Sequence, residues 1–405
     1  MQAAQGYKML VSLMLAIMCA SCGGGGDGAT SNAAMPSPTA IASAAVAGVG
    51  AVSPLPTSTP ATATPLSNMS QLSAIASNFD VASWVVKGDP VPPSAAPDVV
   101  GAFRFICQAA HLGCDDPIIY PGQPGKSHLH QFFGNTRTDA NSTFASLRET
   151  GDSTCMGPLN RSAYWIPAMM NGKGSVIRPD YVAIYYKRRP ASDPKCDPTK
   201  DAQAQGKCVD LPRGLRFVFG YNMQNPAQSP TGAAYFNCDG PTGTQGHYPN
   251  MVAAAAKCPA GNRLGAIISA PDCWDGKNLD SPDHRSHMAY AGYGDWGYFK
   301  CPATHPFVVP AFSLGAWYGT DATLPNWYLS SDRMPGMADA IPGTTLHSDW
   351  WGAWDDPTMD AWTANCIDKM LNCSDGQLGD GTILKRPANF AYLATPRVVA
   401  VPSRL

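Results

Sequence analysis

From about Asp98 onward the chain is cut into short apolar or alternating runs by clusters of glycine, proline, asparagine and aspartate. Gly101 to Ile106, Tyr181 to Tyr186, Leu215 to Gly220, Arg263 to Ser269, Phe307 to Val309 and Ala311 to Trp317 are rich in valine, isoleucine, phenylalanine and tyrosine. Such residues fit a pleated, half-buried surface, and the clusters between them supply turns. Helical signals are weaker and fall on Asn250 to Ala256 and on Pro357 to Met370, where Met359, Trp362, Cys366 and Met370 lie near one face. The pattern predicts a mainly β chain: a β-sandwich or jelly-roll-like single domain with long, disulfide-held loops.

Three zones precede and form that domain. Residues 1–22 read as a lipoprotein-type signal: Lys8 gives positive charge, Met9 to Met18 are apolar but too few to span a bilayer, and Cys19-Ala20-Ser21-Cys22 closes the segment. Cys22 is the expected lipid anchor, on the bacterial outer membrane, with plain secretion as the alternative. Residues 23–97 are dominated by alanine, proline, serine, threonine and glycine with almost no charge, which predicts a disordered tether. Within it only Phe79 to Lys87, with Val81, Trp84, Val85 and Val86, could lay a strand on the domain that follows. Residues 98–405 form the expected catalytic or binding domain, long enough for a substantial core.

A formal net charge of −2 with scattered basic residues argues against nucleic acid or an anionic membrane surface as partner. The chain has 13 cysteines. Beyond Cys19 and Cys22 they are Cys107, Cys114, Cys155, Cys196, Cys208, Cys238, Cys258, Cys273, Cys301, Cys366 and Cys373, an odd set that leaves at least one outside any intrachain bridge. In an exported chain they read as disulfides, with Cys196 to Cys208 and Cys366 to Cys373 as local pairings. Glu149 is the single glutamate, so an acid-base catalyst here is aspartate or histidine.

Of only eight histidines, four form close pairs. His128 and His130 lie in Gly125-Lys126-Ser127-His128-Leu129-His130, and a strand would send both to one face. His284 and His287 lie in Ser281-Pro282-Asp283-His284-Arg285-Ser286-His287 and share a face only if that segment turns helically. Either pair could converge on a ligand, a proton or a metal, or be held by hydrogen bonds within its loop.

Several longer blocks carry a resemblance. They are Asp116-Pro117-Ile118-Ile119-Tyr120-Pro121-Gly122 with Ser127 to Asn135; Tyr164-Trp165-Ile166-Pro167; Cys273 through His287; Cys301-Pro302 with His305-Pro306; and His347-Ser348-Asp349. In this order they resemble the domain of unknown function 1996 family of secreted fungal and bacterial proteins, over about Phe103 to Trp354. The resemblance implies an extracytoplasmic protein. Relatives in that family are often joined to carbohydrate-binding or cell-wall-sensing modules, which suggests a polysaccharide or oligosaccharide ligand. His128, His130, Asp275, Asp280, Asp283, His284, His287, His305, His347 and Asp349 occupy matching positions, and the expectation is that they form one site.

Three chemistries suit such a set. In the first, an aspartate and a histidine act as general acid and base, making the chain a glycoside hydrolase, with Asp283, His284, His287, His128, His130 and Asp349 as catalytic candidates. Lys126 and Arg285 are then substrate clamps, and Asp275, Asp280, His305, His347 and Trp274 further substrate contacts, with Asp275 and Asp280 alternatively capping turns. No cofactor is needed. In the second, His128 and His130 with one or two of His284, His287, His305 and His347 hold a divalent metal for a metal-dependent hydrolase. In the third, the chain is a non-catalytic carbohydrate-binding or envelope protein, with Trp350-Trp351-Gly352-Ala353-Trp354 stacking on sugars or, alternatively, buried in the core. No Gly-x-Ser-x-Gly elbow supports a serine nucleophile at Ser127 or Ser286.

Overall fold

In the computed structural model, residues 70–94, 99–294, 297–336 and 338–402 are described. The signal over residues 1–22, its Cys19 and Cys22, and most of the 23–97 tether lie outside the described residues.

The chain is mainly β, with 31% strand against 12% helix. Eleven strands make the two principal sheets: β1 (Gly101–Cys107), β2 (Ala109–Gly113), β3 (His130–Gly134), β4 (Ala163–Pro167), β5 (Tyr181–Arg188), β6 (Arg216–Gly220), β7 (Ala234–Asp239), β8 (Arg263–Ser269), β9 (Ala311–Gly319), β10 (His347–Trp351) and β11 (Asn372–Cys373). One sheet has the order β6-β10-β4-β3-β2 and the other β7-β8-β9-β5-β1-β11. All pairings are antiparallel except β1 with β11. The predicted strand at Arg263 to Ser269 has the observed bounds, and the run from Ala311 extends two residues further, to Gly319.

Aromatic side chains join the sheets into a sandwich. Phe312 of β9 meets Phe219 at 5.5 Å, Phe217 at 6.1 Å and Trp350 at 5.2 Å between ring centres, and the Tyr164 and Tyr186 hydroxyls lie 3.2 Å apart. Because side chains alternate along a strand, Phe217, Phe219, Tyr164, Ile166, Phe133 and Trp350 fill this inter-sheet core, while Phe132, Trp165, Val218 and Trp351 point out of the other face. That second face is itself covered. Ile118 and the helix α1 (Phe144–Glu149), through Phe144 and Leu147, pack on it. Gly134 ends β3 at φ +80°, so close to the Ser162 carbonyl that a Cβ would lie 1.9 Å from that oxygen. Only glycine fits there.

The predicted helices are present but shorter. Asn250 caps α2 (Met251–Ala255) by accepting from Ala253 N–H. α3 (Asp356–Trp362) is capped by Asp355, and its Trp362 stacks on Phe103 at 5.1 Å and Tyr186 at 5.0 Å. The expected continuation to Met370 becomes a π turn over Thr363–Ile367, and Met370 takes φ 53°. Five disulfides hold the loops: Cys107–Cys155, Cys196–Cys208, Cys238–Cys258, Cys273–Cys301 and Cys366–Cys373. Both expected local pairs are among them, and Cys114 is the remaining described cysteine. Such a bridge density fits an exported protein. Among the described residues no helix is long and apolar enough to cross a membrane.

The stretch at 70–94 joins the domain more extensively than the expected Phe79 to Lys87. Val85–Lys87 pairs with Thr382–Leu384 as foreseen. In addition, Leu72 N–H donates to the Arg213 carbonyl, Ile75 packs against the Phe132/Trp165 cluster, and Ser77 donates to Asp355. The physical reason is the packing of Ile75 on that apolar cluster together with the backbone bond made by Leu72, whose side chain stays 40% exposed.

The Trp350–Trp354 run is core rather than a sugar platform: Trp350, Trp351 and Trp354 are all buried. Phe312 is the side chain on which the two sheets depend most directly. Phe312→Ala is expected to destabilise the domain by about 3–5 kcal/mol, read as a lowered urea midpoint with disulfides intact.

Candidate metal centre

The outer face of the β6-β10-β4-β3-β2 sheet carries one polar island. On β10 the alternation places His347, Asp349 and Trp351 on this face, and on β3 it places His130 and Phe132 there, with His128 two residues upstream. Across the sheet Asp349 faces Trp165, which faces Phe132; one step along, His130 faces Pro167. Ring centres of His128 and His130 are 4.2 Å apart, those of His128 and His347 5.1 Å, and those of His130 and His347 6.2 Å. Ligand atoms of His128, His130 and His347 lie within 4.8 Å of one another, as do those of Asp116, His130 and Asp349.

The hydrogen bonds fix which atoms face inward. His130 Nδ1–H donates to the Asp115 carbonyl at 3.0 Å and His347 Nδ1–H to the Thr345 carbonyl at 2.8 Å, since a carbonyl can only accept. Both rings therefore keep an Nε2 lone pair. Asp116 Oδ1 accepts from the Ile118 and Ile119 N–H groups at 2.9 and 2.8 Å. By contrast, Nε2 of His128, Nε2 of His130 and both carboxylate oxygens of Asp349 are buried without a hydrogen-bond partner. Leaving one such group unpaired costs on the order of 1–3 kcal/mol. These four belong to two ligand groups that overlap at His130.

Electrostatics agree on its sign. Burial lowers the pKa of His128 well below the imidazole range, and neighbouring His130 and His347 lower it further. Burial likewise lowers His130, against the pull of Asp116, and brings His347 to about 3 with His130 adding to it. Asp349 is pushed well above the carboxylate range by burial and by the Asp116 charge, with Arg285 opposing, and burial raises Asp116 in turn. Neutral imidazoles are the ligand form, and a cation would remove the penalty on ionising both carboxylates. Three histidine nitrogens with one or two carboxylates form a donor set suited to zinc or another divalent first-row ion, and the Nδ1–H bonds to backbone carbonyls are the outer contacts that orient metal-bound histidines.

The site thus unites His128, His130 and Asp349 from the catalytic candidates with His347, expected as a substrate contact. The Ser281–His287 block is a self-bonded loop against the free edge of β6, and among the described residues no close group of ligand atoms joins its His284 or His287 to His128 and His130. His287 has both nitrogens engaged, one donating to the Arg216 carbonyl at 2.9 Å and the other on Ser281 Oγ at 2.8 Å. His284, at φ 56°, donates through Nδ1 to Asp280 at 2.9 Å, and its carbonyl accepts from Val218. Although burial acts to raise the Asp283 pKa, bonds from the Ser286 N–H and hydroxyl, Ser281 and Arg285 hold the carboxylate well below its usual range, as a loop cap and not a proton donor.

The expected substrate contacts also divide. Asp275 caps a turn by accepting from Lys277 and Asn278 N–H, and Asp280 pairs with Arg216 at 2.8 Å. Trp274 is buried and donates to the Asn278 carbonyl. His305 donates to the Ser286 carbonyl and meets the Thr304 hydroxyl. All four are engaged by these local contacts. Arg285 alone from this block reaches toward the site, donating to the carbonyls of Gly220 and Tyr221 at 3.1 and 2.9 Å; Gly220 is the cross-strand neighbour of His347. Lys126 is exposed, two residues before His128.

Asp116 was not among the sequence candidates. Its position at the head of the block that contains His128 and His130 was the available signal, whereas the Asp115 and Thr345 carbonyls that set the tautomers leave no trace in side-chain identity. Metal content measured by elemental analysis is expected at one divalent ion per chain, lost in His130→Ala and retained in His305→Ala and Asp275→Asn. Equal loss in all three variants would contradict this assignment.

Comparison with curated proteins and with solved structures finds no match. A family model described as "Domain of unknown function (DUF1996)" matches residues 116–354, a span that begins at Asp116 and contains all five residues of the cluster. The chain belongs to the DUF1996 family.

Proposed function

We propose that this protein is a metal-dependent hydrolase acting on saccharide-borne groups outside the cytoplasm, with a divalent ion held by His128, His130, His347 and Asp349. One observation carries the reading: the unpartnered, buried Nε2 atoms of His128 and His130 and both oxygens of Asp349 belong to two close groups of ligand residues, His128/His130/His347 and Asp116/His130/Asp349, that share His130. A bound ion there would polarise a carbonyl oxygen and activate water. A glycosidic acetal offers no carbonyl, so an ester or amide substituent of a polysaccharide suits the centre better than the glycosidic bond. In the reaction the water oxygen joins the acyl carbon, the bond from that carbon to the sugar oxygen or nitrogen breaks, and a proton from water ends on the departing atom. Within the cluster His128 is the one partly exposed histidine, so substrate approaches on its side, where Lys126 is also exposed.

The saccharide as substrate class follows from the resemblance drawn above. The five disulfides suit action outside the cytoplasm, and anchorage of the exported chain to the outer membrane through Cys22 completes this reading.

A second reading has its own support. Burial and Asp116 favour a protonated Asp349, the form a glycosidase general acid needs. Against it, Asp116 and Asp349 bring oxygens within 4.8 Å of His130 and of each other and are both buried, whereas a glycosidase separates its carboxyls by about 5–9.5 Å across a bond.

Acetate release from p-nitrophenyl acetate and from acetylated xylan separates the two. The expected result is activity abolished by chelation, restored by zinc, and lowered at least ~100-fold in His130→Ala. Activity that survives complete metal removal, or release of reducing ends indifferent to chelator, would reject the metal reading in favour of Asp349 as acid.

A further inference from the structure

A polar cavity lies at one end of the other sheet, lined by none of the residues of the metal cluster. It occupies about 240 Å³, between the start of β5, the end of β7, the start of β8, the end of β9 and the C-terminal segment. At ~30 Å³ per water it would hold about eight waters, the scale of one sugar ring and not of a drug-sized ligand.

Its floor is rigid and its polar groups are spent. Asn262 accepts from Thr242 N–H and donates to Thr242 Oγ1 and the Pro259 carbonyl, and Thr320 Oγ1 bonds to Asn262 and Pro259. The walls are different. Asp180 is 2% exposed; its Oδ1 accepts from Ala394 N–H, while its Oδ2 is buried with no hydrogen-bond partner. Arg263 Nε stands 3.5 Å from Oδ2 and Arg397 Nη2 3.9 Å from Oδ1, ion-pair contacts too long for good hydrogen bonds. Arg397 Nε is also buried without a partner. Both arginine side chains remain more than a third exposed to the cavity and solvent. Asp239, the cross-strand neighbour of Arg263, also lines the cavity and accepts from Gln245 at 3.3 Å. Gly319 makes room for the Arg397 guanidinium, because a Cβ there would fall 2.5 Å from it.

Two carboxylates and two guanidiniums balance. A free anion would meet Asp180 and Asp239, and a free cation would meet Arg263 and Arg397. A neutral hydroxyl can donate to a carboxylate and accept from a guanidinium at once, so vicinal hydroxyls answer all the groups left over. We propose that the Asp180/Arg263/Arg397 cavity binds one neutral sugar residue through adjacent hydroxyl groups. It would hold the glycan at a point distinct from the metal centre. The inference shares with the proposed function the saccharide as ligand class but does not depend on the metal.

Saturation-transfer NMR on the full chain, both metal-free and zinc-loaded, tests it with methyl glucopyranoside, methyl galactopyranoside, methyl mannopyranoside and xylose. At least one neutral sugar is expected to give signals that are equal in the two metal states and survive His130→Ala. In Arg397→Ala and Asp180→Asn the affinity should fall about tenfold or more, the loss of a hydrogen bond to a charged group. An unchanged melting temperature in Arg397→Ala keeps that comparison clean, and Gly319→Ala, which displaces Arg397 without removing its charge, should act the same way. No signal from any neutral sugar, signals that survive Arg397→Ala, or displacement of the sugar by sulfate at constant ionic strength would each overturn the proposal. Signals that vanish with the metal would instead assign the sugar to the metal centre.

Discussion

The register in which Asp349 faces Trp165 and Trp165 faces Phe132 governs the rest of the molecule. Strand side chains alternate, so a slip of one residue in β10 would send His347 and Asp349 into the inter-sheet core and Trp350 out of it. The register is held from both sides. Trp350 is locked against Phe312 and Phe217 within the sandwich, and Trp165, Trp351 and Val218 are covered by Ile118, Phe144 and Leu147 outside it. Apolar burial thus fixes the position of polar groups that would not choose it for themselves.

Covering both faces of the sheet has an electrostatic consequence. The polar island sits beside the buried aromatic side chains of Phe132 and Trp165, where water is scarce and an uncompensated charge is expensive. His130, His347 and Asp349 are nearly inaccessible, and each titrates in the direction of its neutral form. Apolar residues of similar size would avoid this cost altogether, so the cluster weakens the isolated fold. A divalent cation held by these residues would reverse the sign of the effect and couple folding to binding. The same shielding makes the centre selective in approach, since His128 supplies its most exposed edge.

Sequence reading recovered what local pattern controls. The run Arg263–Ser269 announced its strand through alternation and flanking turn residues, and the strand at Gly101–Cys107 was nearly as clear. His-x-His foretold that His128 and His130 lie together, with ring centres 4.2 Å apart, although only His130 belongs to the strand and His128 precedes it. His-x-x-His is harder to read, because the Ser281–Asp283 segment is rich in side chains that bond locally, and Ser281 takes up His287 Nδ1 while Asp283 accepts from Ser281 and Ser286. The contribution of Asp116 depends on a contact to β10 across more than two hundred residues of sequence, which no local pattern signals. The anchoring of Leu72 and Ile75 was hidden likewise, since two apolar residues in a bland segment acquire meaning only beside the surface they cover.

The central claim is that His128, His130, His347 and Asp349 share one cation. Anomalous diffraction at the zinc edge, on crystals of the protein grown with zinc, tests it most directly. The account predicts a single strong peak bonded to the Nε2 atoms of His130 and His347, to His128 and to an Asp349 oxygen, at about 2.0–2.2 Å from each. A map with no peak in this cluster, or with the ion at the His284/His287 loop instead, would contradict it.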